Sequence, residues 1–369
     1  MRKLYEQDII EILYGATLLG AGGGGSLKQG LDMIQGLKDD GEQIELDLLD
    51  VSEMRDDAYA VMVAGLGSPV AMLDPDMPRF GPDAVFAYRA FQKAFAAEGK
   101  KLEYLYSGEM GGFNTFTPML VAILSDKDPA KRIKFVDADG NGRAVPELNT
   151  TINAFYDHPP KPMGMGSPYG DEIIVYPTTD HSGEQIARQM CMLYNMRIGF
   201  ATWGMNKEEI TNILDVGCVT KAQKIGKAIL TAKETGSDVM DELKKAFEVR
   251  EFCRGTIEKL DLRAEGGFDF GTTVIKGDDG HTYYIDFKNE NLILRDEKGD
   301  TIMTAPEGIG MIDLNNCFPL TNADTKEGMR VLVTMTPAHP NWWDEDHKAY
   351  TCWLPELKKV GMKGDQVRY

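Results

Sequence analysis

The chain has 369 residues, enough for two domains with cores of their own. Hydrophobic residues make up 43% and charged residues 27%, the balance of a globular protein rather than a disordered one. Lys and Arg number 40 against 58 Asp and Glu; the resulting formal charge of −18 disfavours nucleic acid and anionic membrane surfaces, whose attraction rests on basic side chains.

Residues 4–19 carry an apolar stripe of Ile9, Ile10, Leu13 and Leu18 and are expected to open the fold as a helix. Gly22-Gly23-Gly24-Gly25 ends it, and Ser26 with Gln29 is a capping-box pattern starting a second helix through about Leu37. Strands and helices then alternate: strands at 59–64, 102–106 and 133–136, helices at 82–97 and 116–124. This spacing implies crossovers and a mainly parallel sheet. The proline-rich 158–168 stretch is expected to be a linker or boundary, which gives an α/β domain over 1–165 and a second domain over 166–369. Helices are expected at 182–196, 207–214 and 221–232. From Phe268 the pattern changes to period two: hairpins at 272–287 and 291–304 and a strand at 330–335 point to a β-sandwich or small barrel. The Met-rich stretch from Met190 to Met196 reads as core or a subunit interface, with core favoured because Met fills irregular gaps.

The five cysteines (Cys191, Cys218, Cys253, Cys317 and Cys352) are far apart, with no pair at metal-ligand or redox spacing. The start MRKLYEQDII lacks a signal peptide's apolar region, and no apolar stretch is long enough for a membrane span. A cytoplasmic location is expected.

Ligands of open parallel sheets bind outside the carboxyl ends of the strands. Three loops follow the proposed strands there: Gly65-Leu-Gly67-Ser68, Ser107 to Asn114, and Asp137 to Glu147. Their glycines, including Gly67, Gly111 and Gly112, let backbone approach a ligand, while Glu109, Asn114, Asp137, Asp139, Arg143 and Glu147 supply acid, base, amide and cation. The plainer reading, that Asp and Gly simply make turns, stays open. The third loop begins like a calcium loop, but position twelve is Leu148 and a strand precedes it, so an EF-hand is excluded. A different divalent-metal site using Asp137, Asp139 and Glu147 stays open.

Gly20-Ala-Gly22-Gly-Gly-Gly25 formally matches G-x-G-x-x-G, yet a helix rather than a strand precedes it, which removes the dinucleotide reading. Two alternatives remain for Gly22, Gly23, Gly24 and Gly25: an anion or carbonyl cradle at the start of the second helix, or a flexible turn. Asp180-His181-Ser182 suggests a hydrolase triad, but adjacent residues do not converge that way, and Ser182 is better placed as a helix cap. His339 and His347 flank Trp342-Trp343-Asp344 without a third ligand for zinc.

With these residues in hand, the chain resembles the S-Me-TH domain family. The resemblance spans nearly the whole length and rests on 19–25, Glu109-Met-Gly-Gly-Phe-Asn114 and, above all, Asp137 to Leu148. Weaker matches lie at Gly266-Gly267-Phe268, Asn289-Glu290-Asn291 and 328–331. Ala21 stands where relatives have Thr. The resemblance implies an N-terminal three-layer α/β domain and a C-terminal domain containing a β-barrel. It also implies association with hydantoinases and oxoprolinases, and action on thiohydantoin rings.

The resulting expectation is an enzyme that hydrolyses or desulfurises a small cyclic amide or thioamide. Glu109 or Asp139 is the general base, Arg143 pairs with an anionic side of the substrate, and the glycine loops, with Asn114, bind it. The alternative is a non-catalytic partner subunit of a hydantoinase-like enzyme; a homo-oligomer is compatible with either.

Overall fold

The structure, a computed structural model, describes residues 1–67, 77–265 and 268–369. The chain opens with a short strand, β1 (Arg2–Tyr5), rather than helix, because it pairs antiparallel with β2. Helix α1 (Glu6–Leu19) follows, then α2 (Leu27–Asp39), whose N-terminus carries the expected reciprocal Ser26–Gln29 box. Next come β2 (Glu45–Leu49), β3 (Ala58–Gly67), α3 (Pro82–Ala97), β4 (Lys101–Ser107), α4 (Phe116–Ser125) and β5 (Lys134–Asp139). The central strands run in the order β2-β5-β4-β3 and are mutually parallel, so the ends of β3, β4 and β5 open on the same edge.

The expected linker instead contains β6 (Met163–Gly166), a fully buried strand inside the same sheet. Gly164 and Gly166 allow this: a Cβ on Gly164 would meet the Ala87 carbonyl of α3 at 2.4 Å, and one on Gly166 the Asp83 carbonyl at 2.2 Å. The sheet is completed by β7 (Glu172–Val175), β8 (Arg197–Met205) and β9 (Asp215–Val216), all antiparallel to their neighbours. Strands on both sides of position 165 therefore share one sheet. Between them lie α5 (Asp180–Leu193) and α6 (Lys207–Ile213); α7 (Cys218–Thr235) and α8 (Val239–Ala246) follow. Thr179, not Ser182, caps α5, and Ser182 is its partner in the box.

The layers follow from strand alternation. Val61, Val63, Leu105 and Phe135 face a core shared with α1–α4 and α7. Ala60, Met62, Tyr104, Tyr106 and Val136 face a second core shared with α5, α6, Trp342 and Trp353. With helices on both faces, this is the three-layer α/β arrangement the family resemblance implies. Part of the Met-rich stretch departs from the core reading, since Met192 and Leu193 are exposed.

The remainder is one eight-stranded antiparallel sheet: β10 (Arg250–Glu265), β11 (Phe268–Gly277), β12 (Thr282–Lys288), β13 (Glu290–Arg295), β14 (Thr301–Thr304), β15 (Gly308–Asp313), β16 (Phe318–Leu320) and β17 (Arg330–Thr336). Its order is β14-β13-β12-β11-β10-β17-β15-β16, and the β11–β12 and β13–β14 hairpins fall where the period-two pattern placed them. Met303 of β14 and Leu320 of β16, at opposite ends of this order, join one apolar cluster, so the sheet curls round its own face. A final helix, α9 (Trp353–Lys359), returns to the first layer's outer core. No helix among the described residues is long and apolar enough to cross a membrane.

Candidate active site

The glycine run after α1 is a packed turn. Gly23 N–H donates to the Gly20 carbonyl at 3.0 Å, while the amides of Gly22, Gly24 and Gly25 have no hydrogen-bond partner among the described residues. Gly24 adopts φ +71°, and a Cβ there would stand 2.2 Å from the Met110 carbonyl. The loop after β4 lies directly against this run: Gly112 N–H donates to Gly25 O (2.9 Å) and Asn114 N–H to Gly24 O (3.1 Å). Gly111 and Gly112 are glycine for the same reason, since their Cβ atoms would stand 2.2 Å from Gly24 O and 2.4 Å from Ser26 O.

This packing fixes the Glu109 side chain, which stays partly exposed. Asn114 Nδ2 donates to its Oε1 at 2.6 Å and Val145 N–H to its Oε2 at 2.9 Å. Asn114 is itself fixed by Gly65 N–H, which donates to its Oδ1 at 3.0 Å, so the end of β3, which continues through Gly65-Leu-Gly67 where a loop was expected, and the loops after β4 and β5 converge on one carboxyl. Desolvation nevertheless raises the Glu109 pKa to about 7, against the two N–H donors and the charges of Arg143 and Arg188 that favour the ionised form. Gly67 is not at this point; it lies against the Met196 carbonyl beside β8, and Ser68 is outside the described residues.

A second carboxyl comes from the curled sheet. Glu290, at the start of β13, is buried against Gly23, where a Cβ would stand 2.2 Å from its Oε1; its Oε2 has no partner among the described residues. Burial, followed by repulsion from Glu109, raises its pKa to about 8, with Arg143 opposing. Its neighbours tie the two sheets together. Asn291 N–H donates to Ala21 O (2.7 Å), Asn322 N–H to Gly22 O (2.9 Å), and Asn322 Nδ2 to Asn289 O (2.8 Å).

Arg143 is central, and each of its three nitrogens already donates to backbone. Its Nε, Nη1 and Nη2 donate to the carbonyls of Ala144 (3.0 Å), Glu307 (2.8 Å) and Asn291 (3.1 Å), and the guanidinium stacks on Trp353. Burial lowers its pKa to about 10, and Glu290 and Glu307 oppose that shift. These bonds make Arg143 a clamp between sheets that places positive charge near both glutamates.

Asp139 lies behind the crevice. Its Oδ1 accepts from Asn141 N–H (3.0 Å) and Gly142 N–H (2.6 Å), while Oδ2 is buried without a described partner beside Asp215. Burial raises its pKa to about 7. Asn141 continues outward to Gly108 O (2.9 Å), so Asp139 shapes the turn that supports the Glu109 loop. Asp137 accepts from Thr220 N–H (3.0 Å) and the Thr220 hydroxyl at the start of α7, and Glu147 pairs with Lys288. The three acids considered for a metal thus serve three different partners. Among the described residues, no group of three or more His, Cys, Asp or Glu is arranged to hold a metal ion. The five cysteines are unpaired; His339 approaches Asp215 and His347 stacks on Tyr156. His181 is exposed on α5.

The sequence matches the S-Me-THD-like N-terminal domain over residues 7–177 and the S-Me-THD-like C-terminal domain over 178–355. The chain belongs to the S-Me-THD-like family. Its fold is similar to the crystal structure of a protein from Chromobacterium violaceum, with a TM-score of 0.83, 24% identity and full coverage of both chains. No curated protein matches it. In this family member, the sequence pattern pointed to Glu109 and Asn114 but gave no role to Glu290, Asn291 or Asn322. The signal that could have found Glu290 and Asn291 was Asn289-Glu290-Asn291, three polar residues without glycine between two apolar strand patterns.

Proposed function

We propose that this S-Me-THD-like protein hydrolyses a small cyclic amide or thioamide, of the hydantoin or S-methyl-thiohydantoin type, using Glu109 and Glu290 as an acid–base pair. One observation carries the reading: two carboxyls flank the glycine run, Glu109 held by Asn114 and Val145 and Glu290 buried against Gly23, and loss of water pushes them up to about 7 and about 8. Midway between these values, near pH 7.5, such a pair holds about one proton between them, so one member accepts a proton while the other donates. Glu109, the more acidic, takes a proton from water as its oxygen adds to the ring carbon. The π electrons move to the exocyclic oxygen or, in an S-methyl ring, to the ring nitrogen, where the unpartnered amides of Gly22, Gly24 and Gly25 supply fixed dipoles. Collapse breaks the C–N bond, and the Glu290 proton goes to the departing nitrogen. With an S-methyl-thiohydantoin the bond broken is C–S, and methanethiol leaves with the proton. Arg143 and Asp139 act as positioning residues in this scheme.

The test is an assay of ring opening and methanethiol release by the purified chain, beside Glu109→Gln. Turnover that falls by about 10²–10⁴-fold in the folded variant supports the role, a range set by typical general acid–base contributions. No turnover by the wild-type chain, together with co-purification of a hydantoinase-like subunit, replaces this reading with that of a partner subunit.

A further inference from the structure

Three cations surround the carboxyl pair, and they differ in what they have left to give. Arg143 is 2% exposed, with its guanidinium spread over three backbone carbonyls and a tryptophan face. Lys288 is held between the carboxylates of Glu147 and Glu356 and packs on the Phe268 ring at 3.9 Å. Arg188, from α5, is different. Its side chain is 24% exposed, its Nε donates to Glu184 Oε1 (2.6 Å) and one Nη to Pro146 O (3.3 Å), and Nη1 has no partner among the described residues. The Glu184 carboxylate is itself anchored, accepting from Leu148 N–H at 3.0 Å.

Arg188 also shares a peptide segment with Glu109. Pro146 O, which it touches, is one residue from Val145 N–H, which holds Glu109 Oε2. Its guanidinium packs over Phe268 at 4.6 Å, so the aromatic ring from β11 and the peptide segment 145–146 fix its plane. A planar cation with one edge tied and the other open suits a carboxylate, which it can meet in fork geometry. The whole chain is acidic, and of the two arginines whose charge acts on Glu109, Arg143 is buried on backbone carbonyls while Arg188 is partly exposed and keeps Nη1 free among the described residues.

We infer that Arg188 anchors an anionic substituent, of the carboxylate class, on the ring that Glu109 and Glu290 act on. The inference rests on the proposed function and narrows its substrate: a cyclic amide bearing an acidic side chain is preferred over its neutral counterpart. Catalysis as such is assigned to the two glutamates, while Arg188 sets KM and the choice between substrates.

The test uses a matched pair, hydantoin-5-acetate and hydantoin-5-acetamide, with wild type and Arg188→Gln. Wild type is expected to favour the acetate by about 10–100-fold in kcat/KM, the range of one charge-assisted contact of about 1.5–3 kcal/mol. In Arg188→Gln that ratio should fall to near one, chiefly through KM for the acetate. Comparing the ratio within each enzyme cancels any shift of the Glu109 pKa caused by losing a nearby charge. Wild-type turnover of both compounds at equal efficiency overturns the inference while leaving the proposed function standing; turnover of neither, nor of an S-methyl-thiohydantoin, overturns the function and the inference with it. Arg188→Lys should recover part of the preference, whereas a preference unchanged in Arg188→Gln also overturns the inference.

Discussion

Replacing Glu290 by glutamine should make the protein more resistant to alkaline pH, an unusual result for removing a buried charged residue. Glu290 is 3% exposed and accepts no hydrogen bond at Oε2 from the described residues, so the isosteric amide forfeits little. Its pKa stands near 8 in the folded chain, against an ordinary 4.5. A carboxyl with a raised folded pKa keeps its proton longer in the native state than in the unfolded one. Stability is then full below about pH 4.5, falls as pH rises toward 8, and is level above. At about 1.4 kcal/mol per pKa unit the complete fall is on the order of 5 kcal/mol, an upper figure because local relaxation admits water. Glu290→Gln is neutral throughout and lacks this component. Urea unfolding of both proteins from pH 5 to 9 should give curves that meet near pH 5 and diverge above it, the variant being the more stable at pH 9. Curves that stay parallel, or a variant weaker at pH 9, would refute the claim that Glu290 is buried without compensation.

Three further outcomes follow from the same geometry. Gly23→Ala would push a methyl to within 2.2 Å of Glu290 Oε1, and should cost about 1–3 kcal/mol in unfolding experiments and most of the turnover by displacing that carboxyl. Asp139→Asn keeps an oxygen for the Asn141 and Gly142 amides and should retain turnover within about tenfold of wild type, whereas Asp139→Ala leaves those donors unpaired and should lose about 1–3 kcal/mol; a 10³-fold loss in Asp139→Asn would restore Asp139 as the base. Arg143→Met removes a clamp on three carbonyls and a charge that favours ionised Glu109, so the protein should be destabilised and any residual activity should show its acid limb above pH 7.

The local pattern was strong wherever an element's partner is close in sequence. The 82–97 helix, the buried 116–125 helix and the β11–β12 and β13–β14 hairpins were legible from periodicity and turn residues alone. Elements whose identity depends on distant pairing were not. Arg2–Tyr5 has no strand signal of its own and is a strand because β2 lies beside it. Met163-Gly-Met-Gly166 reads as linker because its glycines hide the need to pass close beneath α3. The same division holds at the site. Glu109 and Asn114 share one loop and could be grouped from sequence, but Glu290 reaches them only because the second sheet docks its β12–β13 turn on the glycine run. Arg143 was legible as a functional cation, but the loss of its donors to backbone was not, since its acceptors at Asn291 and Glu307 lie more than a hundred residues away. The glycines, read as serving ligand approach, are also required by loop-to-loop packing, which is a structural need the sequence pattern does not separate from a binding one.

The acid–base pair is tested most directly by the pH dependence of kcat/KM for ring opening of a hydantoin or S-methyl-thiohydantoin. A narrow bell with limbs near pH 7 and 8 is expected of the wild-type chain, from Glu109 ionising and Glu290 losing its proton. In Glu109→Gln the bell should collapse in height, and in Glu290→Gln the surviving activity should lack the alkaline limb. A flat profile between pH 6 and 9, or a bell unchanged by both substitutions, would contradict the pairing of these two glutamates.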